Sequence, residues 1–215
     1  METEVKFPVP DPAVWQGVAR ARRVAGCEQV PLGRESQRNT YFDTGDGLLA
    51  RHGHACRLRE VRERYVLAVK GPAEPQMDVL RRYEAERPLG EECLREGIPP
   101  SHLVEELLPP RVRANLAAVG PLRPILRSGT ERRIFALEKD GRRVCELTMD
   151  EVSFELETGE SPVYCEIELE LKGGSAGELA RLARWFREEW GLQPSRRSKL
   201  EVGLSLLGRR WPPHD

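Results

Sequence analysis

The sequence has no run approaching the roughly 18 apolar residues that a membrane-crossing helix requires, so membrane is not an expected partner. Its first residues, Met1-Glu2-Thr3-Glu4-Val5-Lys6, are acidic where a secretory leader would be basic and then apolar. A cytoplasmic protein is the expectation. Cysteine offers no covalent framework either. Cys27, Cys56, Cys93, Cys145 and Cys165 are odd in number, widely spaced and without a C-x-x-C pair, which argues against both a disulfide scaffold and a thiolate zinc site. Net charge is missing too: Lys and Arg number 34 against 35 Asp and Glu, leaving −1 overall. No uniform positive field is available for nucleic acid, which is therefore not expected as a partner. The chain also lacks a G-x-x-x-x-G-K-[ST] phosphate loop, a fixed-period repeat and a long Pro/Gly/Ser linker.

What is abundant is charge of both signs, at 32% of the 215 residues against about 25% in ordinary soluble domains. The length fits one domain over 1–215, with a helical insertion at about 88–124. That segment carries Pro88, Pro99, Pro100, Pro109, Pro110, Pro121 and Pro124, and Leu103, Val104, Leu107 and Leu108 at helical spacing after Ser101. Two further helices are expected. One is capped by Asp11 with Pro12 at its first position, has Val14, Val18, Ala21 and Ala25 on one face, and has Gly26 past its end. The other opens on a Ser175/Glu178 capping box and stripes Leu179, Leu182, Ala183, Phe186 and Trp190 along one side, with Trp185 and Trp190 read as packing.

Most of the remainder alternates with period two. Strands are expected near 2–8, 36–43, 54–62, 64–71, 78–88, 125–139, 142–156, 162–172 and 197–207, with Asp140-Gly141 as a hairpin turn. Serial strands with short connections favour an antiparallel sheet or barrel within an α+β fold. Each strand sorts its charges onto one face: Glu2, Glu4 and Lys6; Arg57 and Arg59; Arg82, Glu84 and Glu86; Glu146, Thr148 and Asp150; Glu166, Glu168, Glu170 and Lys172; Arg197, Lys199 and Glu201. Cys56, Leu58, Leu147, Met149, Ile167 and Leu169 point the other way. A barrel with helices on its apolar outside would enclose those charges. Enclosed ions cost several kcal/mol each unless paired, so the interior calls for a ligand. Arg and Lys suit phosphate oxygens, and Glu-x-Glu pairs offer the oxygen donors that Mg²⁺ or Mn²⁺ accepts.

The run Glu2-Thr3-Glu4-Val5-Lys6 is an E-x-E-x-K signature. It is followed in order by Tyr41-Phe42-Asp43-Thr44, Cys56-Arg57-Leu58-Arg59, Val69-Lys70-Gly71-Pro72, Tyr83-Glu84-Ala85-Glu86, Glu131-Arg132-Arg133, Met149-Asp150, Tyr164 to Lys172 and Ser198-Lys199-Leu200. This ordered set resembles CYTH domains, the triphosphate tunnel metalloenzymes. The resemblance implies an eight-stranded antiparallel β-barrel forming a tunnel, with helices packed outside. It also implies that Lys6, Arg57, Arg59, Lys70, Arg132 and Lys199 grip a triphosphate, with Arg133 the alternative to Arg132 should the register slip by one. Glu2, Glu4, Asp150, Glu166 and Glu168 match the acids on the metal side, and Glu86 belongs with them as an acidic tunnel position. Lys6, Asp150 and Glu168 are the expected catalytic residues.

The expected partner is a triphosphate-containing small molecule, with Mg²⁺ or Mn²⁺ as cofactor, and the expected assembly is a monomer or homodimer. Hydrolysis of the terminal phosphoanhydride of inorganic triphosphate or thiamine triphosphate is the leading expectation. A class IV adenylyl cyclase and a non-catalytic polyphosphate or nucleotide binder are the alternatives. Gly173-Gly174-Ser175-Ala176-Gly177 matches G-x-S-x-G, but Ser175 is explained as a helix cap and only His214 lies downstream to complete a triad. Gly45-Asp46-Gly47 reads as a turn, and His52 and His54 are expected at the surface near a hairpin.

Overall fold

The computed structural model describes residues 1–76, 79–115 and 119–210. Its strands are β1 (Glu2–Pro8), β2 (Arg23–Val24), β3 (Cys27–Thr44), β4 (Ala55–Val61), β5 (Arg64–Gln76), β6 (Val79–Leu89), β7 (Leu122–Lys139), β8 (Arg142–Leu156), β9 (Gly159–Glu160) and β10 (Tyr164–Leu171). Eight of them close a ring in the order β1, β6, β5, β4, β3, β7, β8, β10 and back to β1, every neighbour antiparallel. The short β2 and β9 hang on β3 and β8. The fold is α+β, a closed barrel with helices around it. Among the described residues no helix is long and apolar enough to cross a membrane.

The turn between β7 and β8 shows how locally the ring is specified. Asp140 and Gly141 adopt φ of 51° and 71°, the paired positive angles of a type I′ turn whose twist matches the flanking strands. β8 occupies 142–156 as its alternation predicts. β3 is longer than expected, beginning at Cys27 rather than near residue 36. Pro31 and Gly33 flank a register shift against β7, and that bulge interrupts the alternation on which the expectation rested.

Among the described residues two apolar clusters clothe the ring and a third lies inside one end of it. The helices α1 (Pro12–Arg20) and α5 (Ala176–Trp190) cover Val5, Phe7, Leu137, Leu147, Met149, Ile167 and Leu169. Phe7 stacks on Phe186 at 5.4 Å between centroids, and Trp185 and Trp190 contact each other edge-on. On the far side, α2 (Leu48–Arg51) and α3 (Ser101–Leu107) cover Phe42, Cys56, Leu58, Leu67 and Val69. Each fully buried Leu, Ile or Phe in these layers stabilises the fold by about 2 kcal/mol. The segment over 88–124 also carries a 3-10 turn at Glu91–Cys93 and α4 (Pro110–Asn115). The first helix stops at Arg20 rather than reaching Gly26, because β2 takes Arg23 and Val24 and turns through Ala25 and Gly26, both at positive φ, into β3.

The third cluster corrects the sequence reading. Residues expected as a strand over 197–207 form the helix α6 (Lys199–Leu206). Ser198 accepts from the Glu201 amide, and the Glu201 carboxylate accepts from the Ser198 amide at 2.6 Å, a capping box like that of Ser175 and Glu178. Leu200 and Leu204 pack on Tyr41, Leu126, Val152 and Phe154. Val152 and Phe154 share the face of Asp150 by strand periodicity, so α6 lies against the inner wall at one end of the barrel. Gly203 permits this approach: a Cβ there would stand 2.5 Å from Leu126 and 2.6 Å from Phe154. Arg197, Lys199 and Glu201 therefore do not share a strand face.

Candidate functional site

The charged faces of the strands do point inward. Within the barrel lies a cavity of about 350 Å³ to which Lys6, Arg57, Arg59, Lys70, Arg82, Arg132, Arg196 and Lys199 contribute, against two carboxylate residues, Glu168 and Glu201. The cations line the cavity itself, while most of the carboxylates that pair with them, Glu2, Glu4, Glu84, Asp150 and Glu166, stand behind its surface. Among the described residues Tyr41 is the one aromatic side chain of this lining, and it is 6% exposed.

One wall, built by β1, β8, β10 and the start of α6, is a saturated ion-pair lattice. Register sets it up, because Lys6 lies opposite Glu168, and Glu166 opposite Asp150. Lys6 Nζ donates to Glu168 at 2.8 Å and lies 3.3 Å from Glu4. Arg132, reaching across from β7, donates through Nε and Nη2 to both oxygens of Asp150 at 2.7 and 2.6 Å, and to Glu168 at 3.2 Å. Lys199 Nζ stands 3.0 Å from Asp150, 2.6 Å from Glu166 and 2.9 Å from Glu168. Tyr164 donates its hydroxyl to the other Glu166 oxygen at 2.9 Å.

Protonation follows these contacts. Burial would raise Glu168 and Asp150, but Lys199, Lys6 and Arg132 beside the first, and Lys199 and Arg132 beside the second, outweigh it and hold both carboxyls below the usual range. For Glu166 burial wins, and its carboxyl is raised despite Lys199. Lys199 is pushed well above the ordinary lysine value, its burial overcome by Glu166, Glu168 and Asp150.

The opposite wall, on β4, is unsatisfied. Arg57 and Arg59 project inward two residues apart, and their nearest carboxylate, Glu86, is 3.8 Å from each. Nε and Nη2 of Arg57 and Nε of Arg59 are buried without a hydrogen-bond partner among the described residues. Repulsion by Arg57, then burial, then repulsion by Arg132 depress Arg59 to about 10. Arginine does not give up its proton in proteins, so the depression measures how poorly the site tolerates the cation without an anion.

Of the residues singled out from sequence, the structure brings Lys6, Arg132, Lys199, Asp150, Glu166 and Glu168 into one lattice. Glu2 and Glu4 adjoin it through Arg82, which donates Nε to Glu2 at 2.6 Å and lies 2.6 Å from Glu4. Lys70 bridges Glu2 at 3.1 Å and Glu84 at 2.9 Å. Glu86 stands apart from the other acids, its side chain 43% exposed beside the two arginines. The register places Arg132 opposite Asp150 and Arg133 opposite Met149. Sequence reasoning placed Arg82 on the face of Glu84 and Glu86 but gave it no role; its position two residues before Glu84 on an alternating strand was the available signal. His52 is exposed as expected, but His54 is not. It is 3% exposed, its Nδ1 lies 2.7 Å from the His52 carbonyl oxygen, and burial lowers its pKa.

Oxygen donors from three acids around one point are the chemistry that Mg²⁺ or Mn²⁺ takes. Asp150, Glu166 and Glu168 supply such a set, and here their shared centre is the Lys199 ammonium. Among the described residues no group of three or more Asp, Glu, His or Cys is placed to hold a metal ion, this trio included. The donors match a hard divalent cation in chemical kind, but in this arrangement a lysine stands at their centre.

Comparison with known proteins agrees with this architecture. No curated protein sequence matches the chain. Among solved structures, HpAC1 of Hippeastrum, described as an adenylyl cyclase candidate with a dominant triphosphatase activity, is 22% identical, with a TM-score of 0.68 over 97% of each chain. An adenylate cyclase candidate from Bacillus halodurans is 19% identical, with a TM-score of 0.62 over 94% of this chain and 96% of that one. The PH1819 protein of Pyrococcus horikoshii OT3 is 20% identical, with a TM-score of 0.57 over 97% of this chain and 100% of that one. At these identities the likeness concerns the fold. The CYTH domain model matches residues 1–203, nearly the whole chain, and the chain therefore belongs to the CYTH domain family.

Proposed function

We propose that the protein is a divalent-metal-dependent triphosphatase that hydrolyses the terminal phosphoanhydride of inorganic triphosphate or thiamine triphosphate inside the barrel. The observation that carries this reading is the pair Arg57 and Arg59, buried guanidinium groups without hydrogen-bond partners, facing a chamber of further cations. Leaving buried donors unpaired costs about 1–3 kcal/mol each, a debt that an anion with many oxygens removes. Arg57, Arg59, Lys70, Arg132, Lys6 and Lys199 are assigned to the phosphate chain, and their field stabilises charge developing on the departing diphosphate. Asp150, Glu166 and Glu168, with Glu2 and Glu4 beside them, are assigned to the metal side. A divalent cation bound there would neutralise phosphate oxygens and acidify a water molecule. Asp150 and Glu168 are held ionised by their partners, so they orient an attacking water as acceptors. The new bond joins that water oxygen to the terminal phosphorus as the phosphoanhydride P–O bond breaks; the bridging oxygen leaves with the diphosphate part, and the water's protons end on the orthophosphate formed or in solvent.

The lining favours a substrate without a large base. Tyr41 is almost wholly covered, so among the described residues the lining offers no aromatic platform of the sort that stacks nucleobases. The triphosphatase activity described for HpAC1 agrees with the proposal. The test is a panel of tripolyphosphate, thiamine triphosphate and ATP with Mg²⁺ and Mn²⁺. Orthophosphate release from one of the first two that requires metal and falls about 10²–10³-fold in Lys6→Ala is expected. Cyclic AMP and pyrophosphate from ATP would make the protein a cyclase, and tight tripolyphosphate binding without turnover would make it a binder.

A further inference from the structure

The inward charges are sorted along the barrel as well as around it. At the end where α6 lies, the chamber is walled by Ala55, Leu80 and Leu200 with Arg196 beside them, and the cations Arg57, Arg59, Lys70 and Arg82 follow at once. Further along the same inner faces the sign reverses. β6 passes from Arg82 to Glu84 and Glu86, β10 from Glu168 to Glu170, β8 from Asp150 to Glu146, and β3 from Gln37 to Glu35. Glu35, Glu84, Glu146 and Glu170 stand beyond the residues that line the chamber. Register sets Glu170 directly opposite Glu146, a like-charge pairing that destabilises a sheet. Burial raises the Glu170 carboxyl, Lys172 opposes the rise, and Glu2 and Glu146 add to it. Arg143 and Lys172 answer Glu146 and Glu170 from the rim, their side chains 37% and 36% exposed. The cation track itself is short: Arg57 and Arg59 lie about 7 Å apart along β4, and the next inward position, Val61, is uncharged.

We propose that phosphate enters the barrel from the α6 end alone and stops at this collar of carboxylates, so that the chamber takes the end of a phosphate chain and does not let one pass through. The buried donors of Arg57 and Arg59 that lack partners lie on the entry side of the stop. A phosphate group carried past them toward Glu84 and Glu146 would exchange attraction for like-charge repulsion. The substrate class narrows accordingly to compounds with a free terminal phosphate: short linear polyphosphates, or organic triphosphates whose organic part stays among Ala55, Leu80 and Leu200. A long polyphosphate engages by its ends. This inference rests on the triphosphatase reading of the chamber.

Titration calorimetry with linear polyphosphates of graded length, without divalent metal, tests it apart from turnover. Wild-type protein is expected to bind tripolyphosphate and to occupy long chains at one molecule per chain end, whatever their length. Glu146→Gln combined with Glu170→Gln, which neutralises the facing pair, is expected to raise the affinity for pentapolyphosphate at least about fivefold more than that for tripolyphosphate. Occupancy of long chains that grows with their length in wild-type protein would overturn the stop, and this measurement needs no variant. So would equal gains for the two phosphates in the folded double variant. Either result, with tripolyphosphate bound, defeats this inference alone, whereas no tripolyphosphate binding with or without Mg²⁺ defeats the triphosphatase reading with it.

Discussion

The two walls of the chamber hold the same kinds of side chain in opposite conditions. On the wall of β1, β8 and β10, Arg132 and Lys199 are spoken for, each meeting two or three carboxylates at hydrogen-bonding distance. On β4, Arg57 and Arg59 have only Glu86 at 3.8 Å. A buried cation with partners helps hold the fold, and one without partners strains it. The first wall is thus built to stand, and the second to be completed by something from outside. The difference places the anion site more sharply than the sum of charges does.

The largest expected effect comes from breaking the saturated wall. Arg132→Met removes the bidentate donor of Asp150, which is fully buried and keeps only Lys199 at 3.0 Å, and removing one partner of a buried pair costs about 3–5 kcal/mol. For a domain of this size that lowers the melting temperature by about 6–20 °C. Arg57→Met and Arg59→Met should do the reverse, leaving the melting temperature unchanged or a few degrees higher. They should also abolish the stabilisation that tripolyphosphate gives wild type, about 2.7 kcal/mol at a hundredfold excess over Kd. Thermal melts of the three variants with and without tripolyphosphate decide the comparison. Equal destabilisation by Arg132→Met and Arg59→Met would erase the distinction between the walls.

Acid should find the same boundary. Asp150 and Glu168 have folded pKa values below their ordinary 3.8 and 4.5, so the unfolded chain binds protons more readily than the native one. Their contribution is complete above those ordinary values and is lost as pH falls through the lower folded ones. Melting temperature should therefore fall from about pH 4.5 downward. Arg132→Met, which has already lost part of that contribution, should show a shallower fall.

How much of this was legible beforehand depends on the kind of signal. Period-two sorting of charge revealed the barrel interior, because alternation survives any context that keeps one face covered. Ser198-x-x-Glu201 carried the same capping signature as Ser175-x-x-Glu178, yet the alternation of Arg197, Lys199 and Glu201 masked it, and a helix was read as a strand. Lys199, expected among the phosphate-gripping residues, nonetheless reaches the barrel interior, because α6 lies against the inner wall at one end. What no single sequence reveals is which cation finds which acid. The contrast between Arg59 and Arg132 depends on cross-strand register, with Asn39 opposite Arg59 and Asp150 opposite Arg132.

The smallest predicted effect sharpens the comparison from inside the saturated wall. Tyr164 packs beside α6 in the apolar cluster that holds Leu200, and its hydroxyl fixes one oxygen of Glu166 while Lys199 takes the other. Glu166 is the member of the lattice whose carboxyl burial raises, so it is the acid most dependent on each donor. Tyr164→Phe removes one hydrogen bond to a charged group, worth about 1.5 kcal/mol, and should lower the melting temperature at pH 7 by about 3–5 °C. A donor to a carboxylate favours its ionised form, so the variant raises Glu166 further. Because the hydroxyl matters most while Glu166 is charged, the gap between variant and wild type should narrow as pH falls through the raised Glu166 value. A gap that stays constant with pH would mean that Tyr164 acts by packing alone, and that Glu166 is held by Lys199 without its help.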